Sequence, residues 1–188
     1  VKEQDEMFGM ENWEQAESAM QKQAADLALE KGNIHRREVR YLFAGDLLGQ
    51  LIATSFGTVD LEIPLFGLYG ACSTMGEALS LSAMTVGGGF ADCVMAMASS
   101  HFASAERQFR FPLAYGNQRP FSSTWTVTGS GAFLVGKKKS RVRISGVTIG
   151  KIVDYGLKDS QNMGACMAPA ACDTILQNLM DFGRGEKD

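Results

Sequence analysis

The chain has 188 residues, of which 45% are hydrophobic and 21% are charged, and its formal net charge is -3 at pH 7. These values are typical of a soluble globular protein with a substantial core, and they give no sign of a polyelectrolyte partner such as nucleic acid. No apolar run approaches the roughly 18 residues of a membrane span, and no signal peptide opens the sequence. We therefore expect an intracellular protein that is soluble or at most peripheral to a membrane.

The first predicted elements are a helix and a buried strand. Apolar residues recur at spacings of three and four along one helical face, and these are Trp13, Ala16, Met20, Ala24 and Leu27. Gly32 and Asn33 supply a stop signal for this helix. Residues 39–44 then form an apolar run that predicts a buried strand.

Residues 65–100 repeat this order around a single cysteine. An apolar run ends at Gly70, a sharp turn carries Cys72, a small-residue helix follows over residues 75–86, and a second apolar strand covers 93–98. Alternation of strands and helices predicts an α/β layered fold with a largely parallel sheet. A thiol at the start of a helix is exposed to unpaired N–H groups, which predicts an exposed sulfur with a lowered pKa.

The sequence changes in character after residue 104. Residues 105–125 are rich in polar and aromatic side chains, as in a long functional loop. Residues 126–135 and 142–149 both predict strands, so we expect a β-hairpin with a basic turn. Five of the seven residues from Lys137 to Arg143 are basic. Such a turn is typically a solvated charged tip, with contact to anionic lipid headgroups as the alternative.

The four cysteines show no metal-binding or redox spacing. Cys72, Cys93, Cys166 and Cys172 form no CxxC pair, and only two histidines accompany them. We interpret them as reduced thiols, with the last three packed in the core, and we expect no metal site.

A weak internal repeat divides the chain. Met20, Ala24, Asp26 and Leu29 recur at the same offsets as Met167, Ala171, Asp173 and Leu176. This pattern predicts two similar halves, residues 1–139 and 140–188, of which the second is cut short.

The turn at residues 70–74, GACST, resembles the nucleophile elbow of the thiolase superfamily, which includes the β-ketoacyl synthases. Six segments narrow this resemblance to the stage V sporulation protein AD family, across residues 5–183. They are WEQAE at 13–17, FGLYGACST at 66–74, SSH at 99–101, QFRFP at 108–112, WTVTG at 125–129 and NMGACMAPA at 162–170. The resemblance implies a thiolase-like αβαβα fold, present here as the N-terminal half and the start of the second half.

This resemblance also implies a function. The family is associated with binding of dipicolinic acid (pyridine-2,6-dicarboxylate), as its calcium chelate, and with its uptake into the developing spore. The implied partners are membrane proteins of the same sporulation operon, and thiolase-fold proteins typically form homodimers. Family members run longer at both termini, so we expect this chain to be a fragment. The resemblance implies a protein inside a spore-forming bacterium, either soluble or peripheral to the inner membrane of the spore.

Five residues are expected to line the ligand pocket: Tyr69, Cys72, Thr74, His101 and Arg110. Arg110 is favoured over Arg107 and Arg119, because its aromatic neighbours would fix its backbone and a dianion suits the forked donors of arginine. For four of them the alternative is a structural role. These roles are a packed aromatic ring for Tyr69, a buried thiol for Cys72, a hydrogen-bonded histidine for His101 and a solvated side chain for Arg110.

Two other functions remain open at this stage. One is a thiolase-like acyltransferase with Cys72 as its nucleophile, although such enzymes take His or Asn acid and base groups largely from the second half, which is missing here. The other is a non-catalytic scaffold that holds partners. Because those acid and base groups are missing, we expect no enzymatic activity. We expect no resident cofactor, and the family resemblance implies dipicolinate, with or without calcium, as the ligand.

Overall fold

The computed structural model describes residues 5–47, 50–103, 126–159 and 162–185. The chain divides into two compact units, Val1–Lys139 and Ser140–Asp188. Whether these units are two related halves stays a prediction. None of the helices in the described ranges has both the length and the apolarity needed to cross a lipid bilayer.

The first unit is built on a four-stranded sheet in the order β2-β1-β3-β4. Strands β1 (Leu42–Asp46), β2 (Leu65–Gly67) and β3 (Cys93–Ser100) are parallel. Strand β4 (Gly129–Gly136) runs antiparallel to β3. The α/β class and the largely parallel sheet are therefore confirmed.

Three helices cover this sheet. Helices α1 (Trp13–Gly32) and α2 (Ile52–Thr58) pack on each other, and α3 (Thr74–Gly87) follows β2. Because side chains alternate along a strand, the sheet builds two apolar clusters. Leu42, Ala44, Met95 and Met97 pack with Ala25 of α1, whereas Phe43, Val94 and Ala96 pack with Ala78 of α3.

Helix α1 has clear capping signals at both ends. The Asn12 side chain accepts a hydrogen bond from the Gln15 N–H at 2.8 Å, and Asn33 ends the helix in a left-handed conformation with φ of 46°. The predicted apolar face is correct at Ala16 and Met20 but wrong at Leu27, which is half exposed. The buried face extends instead toward Ala25, and it includes two polar residues described below.

The first strand begins later than predicted. Residues Arg36–Glu38 form a 3-10 turn with a capping box between His35 and Glu38, and the regular strand starts at Leu42. The Arg40 N–H already donates to the Cys93 carbonyl at 2.8 Å, so the chain joins the sheet shortly before its regular strand begins.

The predicted β-hairpin is wrong. Strand β4 pairs with β3 along its full length, from Gly129 opposite Ser100 to Gly136 opposite Cys93, and residues 142–149 form no strand. The edge of the sheet at β3 supplies backbone hydrogen-bond partners for the whole of β4. A sequence pattern of two neighbouring strands does not reveal that one of them pairs with a more distant strand instead.

The second unit contains helix α4 (Met163–Phe182), whose Asn162 side chain accepts from the Ala165 N–H at 3.1 Å. The preceding segment packs against it, and the Asn178 amide donates to the Thr148 hydroxyl at 3.0 Å.

Cys166 and Cys172 are exposed on helix α4, so core packing is the wrong prediction for both. All four cysteines are free thiols.

Replacing Gly45 of β1 by alanine should destabilise the first unit by about 1–3 kcal/mol. A Cβ at this position would collide with the backbone carbonyl of Leu68 and come within 2.8 Å of the Thr74 methyl group. Urea denaturation measures the effect. Gly76→Ala in α3 is the control, because a Cβ there meets nothing within 4 Å and should be neutral or stabilising. Equal stability of the Gly45→Ala variant and the wild type would contradict this account.

Candidate functional site

The turn that carries Cys72 is formed by a strained residue next to it. After β2, the Leu68 N–H donates to the Ala44 carbonyl at 2.8 Å, which keeps the chain on the sheet. Ala71 then has a φ of 49°, in the left-handed region that side chains rarely adopt. A 3-10 turn over Ala71–Ser73 leads directly into α3. This conformation is typical of a strand-to-helix elbow and leaves Cys72 exposed.

Gly70 and Ser73 stabilise the elbow. The Ser73 N–H and hydroxyl both donate to the Gly70 carbonyl, at 3.0 Å and 2.9 Å. A Cβ on Gly70 would overlap the Ser73 hydroxyl and come within 2.8 Å of the Glu77 carboxylate. The sequence predicts the turn from its glycine, but the strained residue is Ala71, which no sequence signal identified.

Cys72 borders an open depression of about 310 Å³ at the carboxyl ends of the parallel strands. Its other lining residues are Leu47, Ala71, Met75 of α3, Val127, residues 98–100 of β3 and residues 129–131 of β4. The Ser130 hydroxyl donates to the Ala98 carbonyl at 3.3 Å, and the Ser100 hydroxyl donates to the Val127 carbonyl. Among the described residues that line the depression, none is basic or a histidine.

The predicted pocket residues lie in different environments. Of these residues, Cys72 lines the depression, whereas Tyr69 is 56% exposed and lies outside the lining. Thr74 is buried, and its hydroxyl has no hydrogen-bond partner within the described residues. Their roles in ligand binding stay predictions.

His101 is buried and bonded at both ring nitrogens. Its Nδ1 accepts from the Ala103 N–H at 3.2 Å, and Nε2 lies 2.9 Å from the Glu6 carbonyl oxygen. This pair requires the neutral tautomer with the proton on Nε2, which donates to Glu6. The ring also packs between Trp13 and Phe102, with centroids 5.1 Å and 5.0 Å away. A ligand that used His101 would have to displace one of these hydrogen bonds.

Arg110 lies outside the described residues, together with Arg107 and Arg119. Their participation in ligand binding stays a prediction.

A buried polar cluster near the same strand ends was missed by the sequence reasoning. Ser99 of β3 donates to the Glu17 carboxyl at 2.7 Å and accepts from the Gln21 amide at 2.6 Å. The Thr54 N–H and hydroxyl donate to Asp46 at 3.0 Å and 2.7 Å. Gln21 connects the two parts through a bond to the Thr54 hydroxyl at 3.1 Å.

Burial raises the pKa of Glu17 from 4.5 to about 7, while the Ser99 hydrogen bond acts in the opposite direction. The negative charges of Asp46 and Glu14 add to the increase in this pKa. Glu17 and Gln21 are four residues apart and flank Ala16 and Met20 of the apolar face. That spacing was the available signal for a polar pair buried under α1.

No group of three or more His, Cys, Asp or Glu side chains in the described ranges is placed to hold a metal ion.

Comparison with known sequences finds a family match along the whole chain. The family model for stage V sporulation protein AD matches residues 1–188. A curated protein named stage V sporulation protein AD, from Bacillus subtilis (strain 168), is 42% identical over 185 residues. The alignment covers 98% of this chain and 55% of that protein, so the chain spans about half the length of its relative.

Comparison with solved structures identifies the fold. The tetronic acid condensing enzyme AbyA1 is 16% identical with a TM-score of 0.60, covering 89% of this chain and 58% of that enzyme. The 3-oxoacyl-[acyl-carrier-protein] synthase III from Aquifex aeolicus VF5 is 21% identical with a TM-score of 0.51. This match covers 65% of this chain and 39% of that enzyme. At these identities the likeness concerns the fold alone, which is thiolase-like.

The Glu17→Gln substitution should flatten the dependence of stability on pH. With its raised pKa, native Glu17 holds a proton that the unfolded chain has lost between pH 4.5 and about 7, so wild-type stability falls as pH rises through this window. Glutamine carries no charge, and the variant should therefore be more stable than wild type by about 3 kcal/mol near pH 8. Below pH 4.5 the two proteins should be equally stable.

Urea denaturation at a series of pH values measures this difference. Glu30→Gln is the matched control, since Glu30 is exposed on the same helix. A Glu17→Gln variant with the pH dependence of the wild type would show that Glu17 does not titrate in this window.

Proposed function

The chain belongs to the stage V sporulation protein AD family, and we propose that this sporulation protein binds dipicolinic acid, as its calcium chelate, and supports its uptake into the developing spore. The observation that carries the proposal is the open depression beside Cys72. Its volume of about 310 Å³ falls at the lower end of the range of about 300–1,000 Å³ for small-molecule sites.

Several features support a small polar ligand at this place. The depression lies at the carboxyl ends of parallel strands, where α/β proteins commonly bind ligands. Helix α3 begins beside it at Thr74, and the positive end of a helix dipole favours an anionic group. In our proposal Arg110 supplies the positive charge that a dicarboxylate needs, and calcium enters with the ligand.

An acyltransferase with Cys72 as nucleophile is the second candidate. The left-handed Ala71 favours it, because this backbone exposes the thiol at an elbow before a helix. The described lining contains no histidine, asparagine or carboxylate that could act as general acid or base next to Cys72. We therefore favour ligand binding without catalysis, and a scaffold without ligand is the remaining alternative.

Dipicolinate should raise the melting temperature of the chain in a saturable manner, since a ligand that binds only the native state stabilises it. At a concentration about 100 times Kd the increase should be about 5–10 °C. The titration is run with and without calcium. Cys72→Trp should abolish the increase by filling the depression, and Cys166→Trp, at an exposed cysteine of α4, is the matched control.

The same assay separates the alternatives. A dipicolinate response that survives in Cys72→Trp would place the ligand elsewhere. No response, together with a covalent mass increase from acyl-CoA that is lost in Cys72→Ala, would establish the acyltransferase. If dipicolinate does not raise the melting temperature and acyl-CoA gives no covalent mass increase, the non-catalytic scaffold is the function that remains.

We also propose that the protein forms a homodimer and acts with membrane proteins of the same sporulation operon. The homodimer is supported by β2, which lies at the edge of the sheet with Leu65 and Phe66 partly exposed. An edge strand offers unpaired backbone groups to a second strand. Helix α2 and the residue that follows it add three exposed apolar side chains, Ile52, Phe56 and Val59.

Phe56→Lys should weaken the homodimer, because a charged side chain would be buried in the interface. Sedimentation velocity over a range of protein concentrations measures the monomer fraction. Phe90→Lys is the control. Phe90 is exposed to a similar degree, 77% against 73% for Phe56, but it lies between α3 and β3 and is not part of the proposed interface of β2 and α2. A wild-type chain that stays monomeric at all concentrations would refute the homodimer.

A further inference from the structure

The first unit has a second cavity, of about 380 Å³, at the end of the sheet opposite Cys72. It lies between the segment that leads into β1 and the segment that leads into β2. Its apolar walls come from Val39, Leu61, Ile63 and Pro64, and three arginines and two glutamates complete the lining. The cavity is thus both apolar and rich in arginine.

Arg36 is the structural arginine of this cavity. Its guanidinium donates to the Asp60 carbonyl at 2.7 Å and to the Glu62 carboxylate at 3.0 Å. These bonds join the two segments that form the walls. Because Arg36 spans the two segments, the cavity is formed before any ligand enters.

Both glutamates of the lining already accept hydrogen bonds. Glu62 accepts from Arg36, and Glu38 accepts from the His35 N–H at 2.8 Å in the capping box. Their negative charge is therefore partly neutralised by local donors.

The other two arginines have no such partners. Within the described ranges, the guanidinium groups of Arg37 and Arg40 make no hydrogen bond or ion pair, and both side chains are exposed. The Arg40 guanidinium lies 4.7 Å from the centre of the Tyr41 ring, a contact that orients the group without neutralising its charge. The guanidinium groups of Arg37 and Arg40 therefore supply N–H donors to a ligand in a cavity whose other walls are largely apolar.

We propose that this cavity binds a carboxylate carried on an apolar body, with Arg37 and Arg40 holding the carboxylate and the apolar walls contacting the body. A guanidinium can donate two parallel hydrogen bonds to a carboxylate, and such charge-assisted bonds are roughly twice as strong as those between neutral groups. This site goes beyond the proposed function, because it is separate from the Cys72 depression and shares no lining residue with it.

Benzoate is a suitable probe, since it combines one carboxylate with an apolar ring. Titration of the isotope-labelled chain at low ionic strength, followed by amide NMR shifts, should show saturable changes at residues 36–40 and 61–63. The double substitution Arg37→Gln and Arg40→Gln should raise Kd about tenfold or more, as the loss of charge-assisted bonds predicts. Raising the salt concentration should also weaken binding.

Two controls make the test specific. The pair Arg141→Gln and Arg143→Gln removes the same charge from exposed positions of the second unit and should leave Kd unchanged. Cys72→Ala should also leave it unchanged, so a failure here is distinct from a failure at the Cys72 depression. Binding that is insensitive to the Arg37 and Arg40 substitutions, or no saturable shift at millimolar benzoate, would overturn the proposal. Acetate binding as tightly as benzoate would also overturn it, because acetate has the same charge without the apolar ring, and the apolar walls would then contribute nothing.

Discussion

Contact between the Leu68 backbone and Gly45 of β1 fixes where the chain leaves the sheet. Gly45 has no side chain, so the Leu68 carbonyl and the Thr74 methyl group both pack directly on the strand. The chain must then reverse within a few residues to start α3, and Ala71 adopts a left-handed conformation to do so. The exposure of Cys72 is a consequence of this packing, and no separate interaction is needed to explain it.

Buried polar groups join the helices to the sheet beside this turn. Glu17 and Gln21 tie α1 to Ser99 of β3, and Asp46 ties β1 to Thr54 in α2. A buried polar network fixes one arrangement of the elements through its paired groups. In this network the Gln21 amide nitrogen is paired, whereas the Gln21 side-chain oxygen has no hydrogen-bond partner within the described residues. Burial in this network destabilises the charged form of Glu17, because that form is poorly solvated, and the pKa of Glu17 is therefore raised.

The two ends of the sheet have different chemistry. The Cys72 depression is bordered by small and apolar residues, with no cation in its described lining, whereas the opposite cavity contains three arginines. Recognition of a dicarboxylate beside Cys72 therefore requires positive charge from elsewhere, which is why our proposal assigns it to Arg110. The opposite cavity contains its own cations and suits an anion without further additions.

The sequence alone determined the class of fold, the order of its main elements and the position of the cysteine. Helices α1 and α3 and the turn at Cys72 were identified from local patterns, because periodicity, capping residues and glycine turns act over a few neighbouring residues. The family was identified by resemblance in six short segments. The tertiary structure decided the pairing of β4 with β3, the burial of Glu17 and the cavity between Arg36 and Glu62. Each of these joins residues more than twenty positions apart, and local sequence patterns do not specify which distant partner a strand edge or a buried polar group will find.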